Sequence, residues 1–433
     1  ELLLTPMEHH SNLVPWFQLA ERTGAVIRHV PMTDDGRLDL AGLDGVLTER
    51  TKLVAFTAVS NALGTINPVA DVVRLAHAVG AVVLIDGAQA TPHVDLDVQA
   101  LDVDFFALSA HKMYGPTGIG ALYAKRELLN AMPPWQGGGD MILSVNFERT
   151  VYNEVPYKFE AGTPNIAGVI GLGAAIDYVG RVGYDVIEQL EADLLAYATE
   201  KLSTIDRLKI IGTAKHKAAV VSFVIEGVSS LDIGMHLDRL GVAVRTGHHC
   251  AQPIMDELGI AGTTRASFAF YNTPEEVDVM VEGLRELVSE QATIASDTTA
   301  SDAGELQWPD PTADSVEAAA AELIETFSFL REAGEDPTDE ILGMGKKIPP
   351  MPASEKNDAT HVKGCMSQVW LTARPRPGTD DAMDILADSD AEIVKGLIGL
   401  LQTVASGQSA ASIATYDFEK LLRDLNFQSI ISV

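Results

Sequence analysis

"KLVAFTAVS" (52–60), "VADVVRLAHAVG" (69–80), "AVVLIDGAQ" (81–89) and "DFFALSAHK" (104–112) follow one another along the chain, and their reading decides the fold. The first, third and fourth are continuous β-rich apolar runs, and the second is an amphipathic helical pattern closing on Gly80. Apolar runs separated by such a helix read as parallel strands buried on both faces, which describes a doubly wound α/β sheet. Ligands of these sheets sit beyond the carboxyl ends of the strands. Ser60, Asn61, Asp86, Gln89, Ser109, His111 and Lys112 all fall there.

Lys112, at the end of a buried strand, has three readings: a satisfied lysine, a phosphate contact, or a Schiff-base former. The last belongs to pyridoxal phosphate (PLP) chemistry. That chemistry needs a carboxylate against the pyridine nitrogen, donors for the phosphate and an arginine for the substrate carboxylate. Asp86, in "LIDGAQA", suits the carboxylate; its plainer reading is a helix or turn cap. His9 and His10 in "MEHHSN" would point to opposite faces of a strand, which disfavours a shared metal and favours one of them stacking on a ring. The triple glycine at 137–139 lacks the Lys-Ser/Thr of a P-loop and reads as a loop near the site.

The 433 residues carry a formal charge of -30, which argues against nucleic acid or an anionic membrane as a partner, because phosphate binding relies on clustered Lys and Arg. No apolar run approaches the roughly 18 residues of a membrane span, and the expected location is the cytoplasm. Two cysteines exclude a disulfide framework and a multi-cysteine metal site. Cys250 lies in "RTGHHCAQP", a polar, His-flanked loop in which a thiolate is stabilised; the alternative is an inert core thiol. Cys365 reads either as a small buried hydrophobe or as a residue at a loop tip.

The expected division is a large domain over 1–165, a long helical region and a small α/β lobe over 166–288, a linker over 289–315 rich in Ser, Thr, Ala, Asp and Pro, and a last domain over 316–433. That domain offers a helix around 316–333, a strand "SQVWLTARP" (367–375) and a helix in "SDAEIVKGLIGLL" (389–401), with Ser389 and Glu392 as a capping box. There is no internal repeat. The chain starts at Glu1 rather than Met and enters at once on the apolar "ELLLTP", so a preceding segment is expected.

Seven motifs in order, "MEHHSNLVPW", "VSNALGTINP", "IDGAQATPH", "SAHKMYGPTGIG", "FEAGTPN", "RTGHHCAQP" and "RASFAFYNT", resemble SufS-type (group II) cysteine desulfurases, PLP enzymes of the type I aminotransferase fold. The resemblance covers residues 1 to about 288. It implies that Lys112 holds the cofactor covalently and later shuttles the Cα proton, that Asp86 pairs with the pyridinium, and that His9 stacks on its face. Asn61 and Gln89 would touch the phenolic oxygen and neighbouring atoms. Ser109 and His111 would bind the phosphate, with Thr163 reaching in from the partner subunit of an obligate homodimer. Arg265 would hold the substrate carboxylate, a task that suits a bidentate guanidinium. Arg245 would position Cys250 or contact the substrate.

The implied reaction converts L-cysteine to L-alanine and leaves a persulfide on Cys250. "HVKGCMSQVWLTARP" and "DSDAEIVKGLIGLL" resemble SufE, the sulfur acceptor that partners SufS, which makes Cys365 the acceptor thiol and iron–sulfur scaffold proteins the downstream recipients. A flexible linker of about thirty residues would have a root-mean-square reach of roughly 30 Å, enough for transfer within a chain or across the dimer. Two family features are absent: the Gly-Thr-Thr type phosphate loop of the N-terminal portion, and the terminal SufE helix, since "LNFQSIISV" does not resemble it. The rival readings are a selenocysteine lyase or kynureninase-like hydrolase of the same fold, and a non-catalytic sulfur carrier or scaffold. Lys112, Asp86, Arg265 and Cys250 together count against the last.

Overall fold

The computed structural model describes residues 1–298, 306–362 and 367–427. The chain forms two compact units, Glu1–Phe223 with His248–Val281, and Val224–Gly247 with Glu282–Val433.

The first unit is built on a six-stranded sheet of β1 (Leu2–Leu4), β2 (Ile27–His29), β3 (Leu53–Thr57), β4 (Val82–Asp86), β5 (Phe105–Ser109) and β6 (Gly120–Ala124), in the order β2-β1-β3-β4-β5-β6. β1 to β5 pair in parallel, and β6 closes one edge antiparallel to β5. Val54, Ala55, Phe56, Val83 and Ile85 are buried, which is why the central strands read as unbroken apolar runs. Helix Val69–Ala78 buries Val69, Val72, Val73 and Ala76, one face at helical spacing, and Gly80 follows it in the left-handed conformation at φ 76°. The long helical region expected at the start of 166–288 is two helices, Ile166–Val182 and Tyr184–Leu202, bent by 75° at Gly183. Among the described residues no single helix is long and apolar enough to cross a membrane. Strand Val220–Ile225 runs antiparallel to Thr263–Ser267, with Ser222 opposite Arg265.

In the second unit, strands Val369–Pro375 and Ala382–Ser389 pair antiparallel from Val369↔Ser389 to Pro375↔Met383. Helices Val316–Ala333, Pro337–Lys347 and Glu392–Ala405 bury Val316, Phe327, Ile341, Ile393 and Leu400 in one core. The Phe327 and Phe427 rings meet edge to face at 5.1 Å between centroids. The last two helices touch through their backbones: a Cβ on Gly345 would lie 2.8 Å from Gly396 N, and one on Gly396 would run into the Ile341 carbonyl. Helix Ser230–Arg239 belongs to the same unit, and its Leu231 and Met235 pack against this core.

Two local expectations are corrected. The capping box of Ser389 and Glu392 does not form, because strand pairing with Val369 carries through Ser389 and delays the helix, whose N-cap is Ala391. Ser389 Oγ instead donates to Gln368 O at 2.9 Å and accepts from Ala391 N at 3.2 Å. The segment read as a linker opens in regular structure, since helix Pro274–Thr298 runs on through 289–298; residues 299–305 lie outside the described residues.

Candidate active site

β3, β4 and β5 are neighbours in parallel register, with Thr57 opposite Asp86 and Asp86 opposite Ala107, so their carboxyl ends are level. Ser60 and Asn61 follow β3, Gln89 follows β4, and Ser109 ends β5 before the single 3-10 turn Ala110–Lys112 that carries His111 and Lys112. The chain has brought the seven polar residues to one edge. Ser109 Oγ and His111 Nδ1 lie 2.9 Å apart and partly exposed. Asp86 Oδ1 accepts the Ala88 amide at 2.9 Å, and Gly87 N donates to Ala107 O at 2.8 Å. Only glycine fits at 87, where a Cβ would enter the Phe106 ring. Tyr114, just after Lys112, stands edge-on to Phe270 with centroids 5.4 Å apart and to Tyr178 and Tyr271 at 6.2 Å, and burial pushes its hydroxyl pKa upward.

The segment beyond β1 reaches the same edge. His9 and His10 sit at a 3-10 turn rather than on a strand: His9 Nδ1 lies 2.9 Å from Ser11 Oγ, while Gln252 N donates to His10 Nε2 at 3.1 Å, so the two rings serve different neighbours. Glu8 beside them is fully buried. Its carboxyl accepts from Thr5 Oγ1 at 2.5 Å, Asn12 Nδ2 at 2.6 Å and Thr57 N at 3.0 Å. Desolvation outweighs these bonds and pushes its pKa up to about 8. Nothing in "MEHHSN" marked Glu8 as an interior residue, because an unpaired carboxylate in a polar motif reads as exposed.

The Cys250 loop is fastened to this edge by backbone groups. His10 N donates to Cys250 O at 2.7 Å, and Asn61 Nδ2 donates to His249 O at 2.6 Å. Arg265 Nη1 donates to Asn61 O at 2.7 Å, and His249 Nε2 lies 2.7 Å from Thr263 Oγ1, so strand Thr263–Ser267 holds the loop from a second side. His249 and Cys250 both have φ 56°, left-handed backbone that costs a side-chain-bearing residue roughly 1–2 kcal/mol. The bonds around the loop hold it in that shape. His10, Asn61, Arg265 and the His249–Cys250 pair, from four distant parts of the chain, thus belong to one hydrogen-bonded neighbourhood.

Three further sequence-derived residues are Thr163, Arg245 and Cys365. Thr163 is exposed in the stretch before helix Ile166–Val182, and Arg245 is exposed at the start of strand Arg245–Gly247 in the second unit. Cys365 lies outside the described residues; on either side of it Val362 N donates to Val369 O at 2.8 Å and His361 bridges to Trp370. Thr57 and Asn12, which bond Glu8, and Thr263, which bonds His249, were announced by no local pattern.

The comparisons with known proteins agree with this architecture. The family model "Aminotransferase class-V" matches residues 1–280, and "Fe-S metabolism associated domain" (SufE) matches residues 321–433. A cysteine desulfurase of Synechococcus elongatus is 54% identical over 287 residues, 66% of this chain and 46% of that protein; one of Dickeya dadantii is 51% identical, over 66% and 69%. The chain therefore spans about half the length of the first and just over two thirds of the second. Among solved structures, the cysteine desulfurase CsdA of Escherichia coli aligns at TM-score 0.64 and 40% identity over 67% of this chain and 72% of that one. The enzyme of Thermococcus onnurineus aligns at 0.65 and 41% over the same shares. On the match over residues 1–280, the chain belongs to the class-V aminotransferase family, whose members depend on PLP, and it carries a SufE domain behind the catalytic fold.

Proposed function

We propose that this chain is a cysteine desulfurase fused to its own sulfur acceptor, taking sulfur from L-cysteine onto Cys250 and passing it to Cys365 for iron–sulfur cluster assembly. The observation that carries the reading is the 2.7 Å bond from His10 N to Cys250 O, which fastens a cysteine loop to the sheet edge where Lys112 and Asp86 lie.

The residues present fit PLP. Asp86, at the end of β4, is the carboxylate for the ring nitrogen, with one oxygen already oriented by Ala88 N. Ser109 and His111, 2.9 Å apart, form a hydroxyl and ring-nitrogen pair suited to a phosphate. His9 would stack on the ring, Asn61 and Gln89 would contact it, and Lys112 would be the attachment point. When bound, PLP supplies an electron sink for carbanion chemistry at the substrate Cα and Cβ.

Arg265 binds the substrate α-carboxylate and thereby sets which Cα hydrogen faces Lys112. Lys112 Nζ takes that proton and returns it during turnover. The Cys250 thiolate attacks the substrate sulfur: an S–S bond forms, the substrate Cβ–S bond breaks, and its electron pair ends in a C–H bond of the product. The net change, L-cysteine and a protein thiol to L-alanine and a protein persulfide, needs no outside oxidant or reductant. Cys365 then exchanges with the Cys250 persulfide, regenerating the first thiol.

The same reading makes the protein a cytoplasmic homodimer in which Thr163 completes the phosphate set of the facing subunit. Exposed apolar side chains on the helix that follows Thr163, Ile166 at 60% and Ile170 at 70%, support a covered surface there. Residues 1–288 form the catalytic part and 316–433 the acceptor, with iron–sulfur scaffold proteins as recipients. The test is to incubate the protein with PLP and L-cysteine and to measure alanine together with persulfide on each cysteine. Equimolar alanine and persulfide, lost in Cys250→Ser, is the expected result; alanine without persulfide would point to another PLP lyase and overturn the assignment.

A further inference from the structure

Helix Ser230–Arg239 meets the C-terminal domain of its unit at three points. Leu231 and Met235, four positions apart on one helix face, lie against the core of Val316, Phe327, Ile341 and Leu400. Asp232 places both carboxylate oxygens 3.0 Å from Glu392 N. At the far end of the helix Arg239 pairs with Asp339 at 2.9 Å.

The Asp232 contact is the specific one. Helix Glu392–Ala405 begins after Ala391, which has no side-chain acceptor, so its first amides depend on a group from elsewhere. A carboxylate at a helix N-terminus is favoured by both the amide hydrogens and the helix dipole. Here that carboxylate comes from a residue 160 positions earlier in the chain. Burial pushes the Asp232 carboxyl pKa upward, against the opposing pull of the Glu392 amide and the Ser229 hydroxyl. Such desolvation is sustained only while the two segments stay together. The Arg239–Asp339 pair is exposed and weak by itself, but it fixes the orientation of a contact already made by the apolar pair and the cap.

We propose that helix Ser230–Arg239 is the docking surface for the acceptor domain, with Asp232 capping helix Glu392–Ala405 as the element that sets its register. The docking contact tethers the acceptor domain to the stretch of chain that leads into the Cys250 loop, and through that tether it governs transfer. This rests on the desulfurase and acceptor reading for its purpose, though not for the contact itself.

The full chain loaded with PLP is given one equivalent of L-cysteine, and amide hydrogen exchange is followed over 390–400 in parallel. In Asp232→Ala the Glu392 and Ile393 amides should exchange at least ten-fold faster, and the ratio of persulfide on Cys365 to that on Cys250 should fall several-fold, with the alanine burst unchanged. Arg239→Asp and Asp339→Arg should each lower the ratio, and the double exchange should restore it, a rescue that general destabilisation cannot produce. Unchanged exchange in Asp232→Ala, or faster exchange with an unaltered persulfide ratio, overturns the proposal. If the unmodified chain forms no alanine, the desulfurase reading fails, and the exchange comparison alone decides whether this helix is the docking surface.

Discussion

Arg265 Nη1 donates to the main-chain carbonyl of Asn61 at 2.7 Å, while the Asn61 side chain donates to His249 O at 2.6 Å, so the arginine assigned to the substrate and the loop of the assigned nucleophile share one residue between them. Asn61 is 6% exposed and His249 2%, and a lost partner at such a site costs about 1–3 kcal/mol. Asn61→Ala should lower stability by that order. It should also raise the rate of Cys250 alkylation by iodoacetamide, because the loop is released. An unchanged alkylation rate would show that the His10 amide and the His249–Thr263 contact hold the loop without Asn61.

Arg265→Lys keeps the charge and discards the planar fork that matches a carboxylate. The KM for L-cysteine should rise about ten-fold or more, with a smaller fall in kcat, since the lost contact is made in ground and transition states alike. Steady-state alanine release measures both. A fall confined to kcat would place Arg265 on the reacting atoms rather than on the carboxylate.

Glu8 makes stability depend on pH in an unusual direction. Its carboxyl stays protonated in the folded chain up to about pH 8, whereas the unfolded chain loses that proton near the ordinary value of 4.5. Between these limits the folded state binds the extra proton, so its contribution to stability falls as pH rises through the window and levels off above pH 8. Urea denaturation at several pH values should show this slope, and Glu8→Gln, neutral throughout, should remove it. An identical profile in the variant would mean that Glu8 ionises near its ordinary value.

Gly396→Ala places a methyl group against the Ile341 carbonyl and forces helices Pro337–Lys347 and Glu392–Ala405 apart. Overpacking of this kind costs about 1–3 kcal/mol. Hydrogen exchange should show the loss within the second unit while the sheet β1–β6 keeps its protection. Loss of protection in both would mean that the two units unfold as one.

Much of the large sheet was legible because β3, β4 and β5 are apolar almost throughout, with β3 buried on both faces, and because their polar ends interrupt that signature abruptly. Lys112, Asp86 and Asn61 could therefore be placed on one edge before any geometry was known. Glu8 could not, since its partner Thr57 lies 49 positions away and only the packing of β1 beside β3 brings them together. The expected Ser389 cap failed for a related reason: local capping chemistry competed with a strand ladder that ends at Val369, and the ladder prevailed. Asp232, which caps that helix instead, sits in a different lobe of the sequence and has no local signal at all.

The left-handed backbone at Cys250 sets two demands on one position against each other. At φ 56° a glycine would rest more comfortably than a cysteine, so Cys250→Gly should make the folded chain more stable by about 1 kcal/mol while abolishing sulfur capture. Any search for thermostable variants that ignores activity will drift toward deleting the proposed nucleophile.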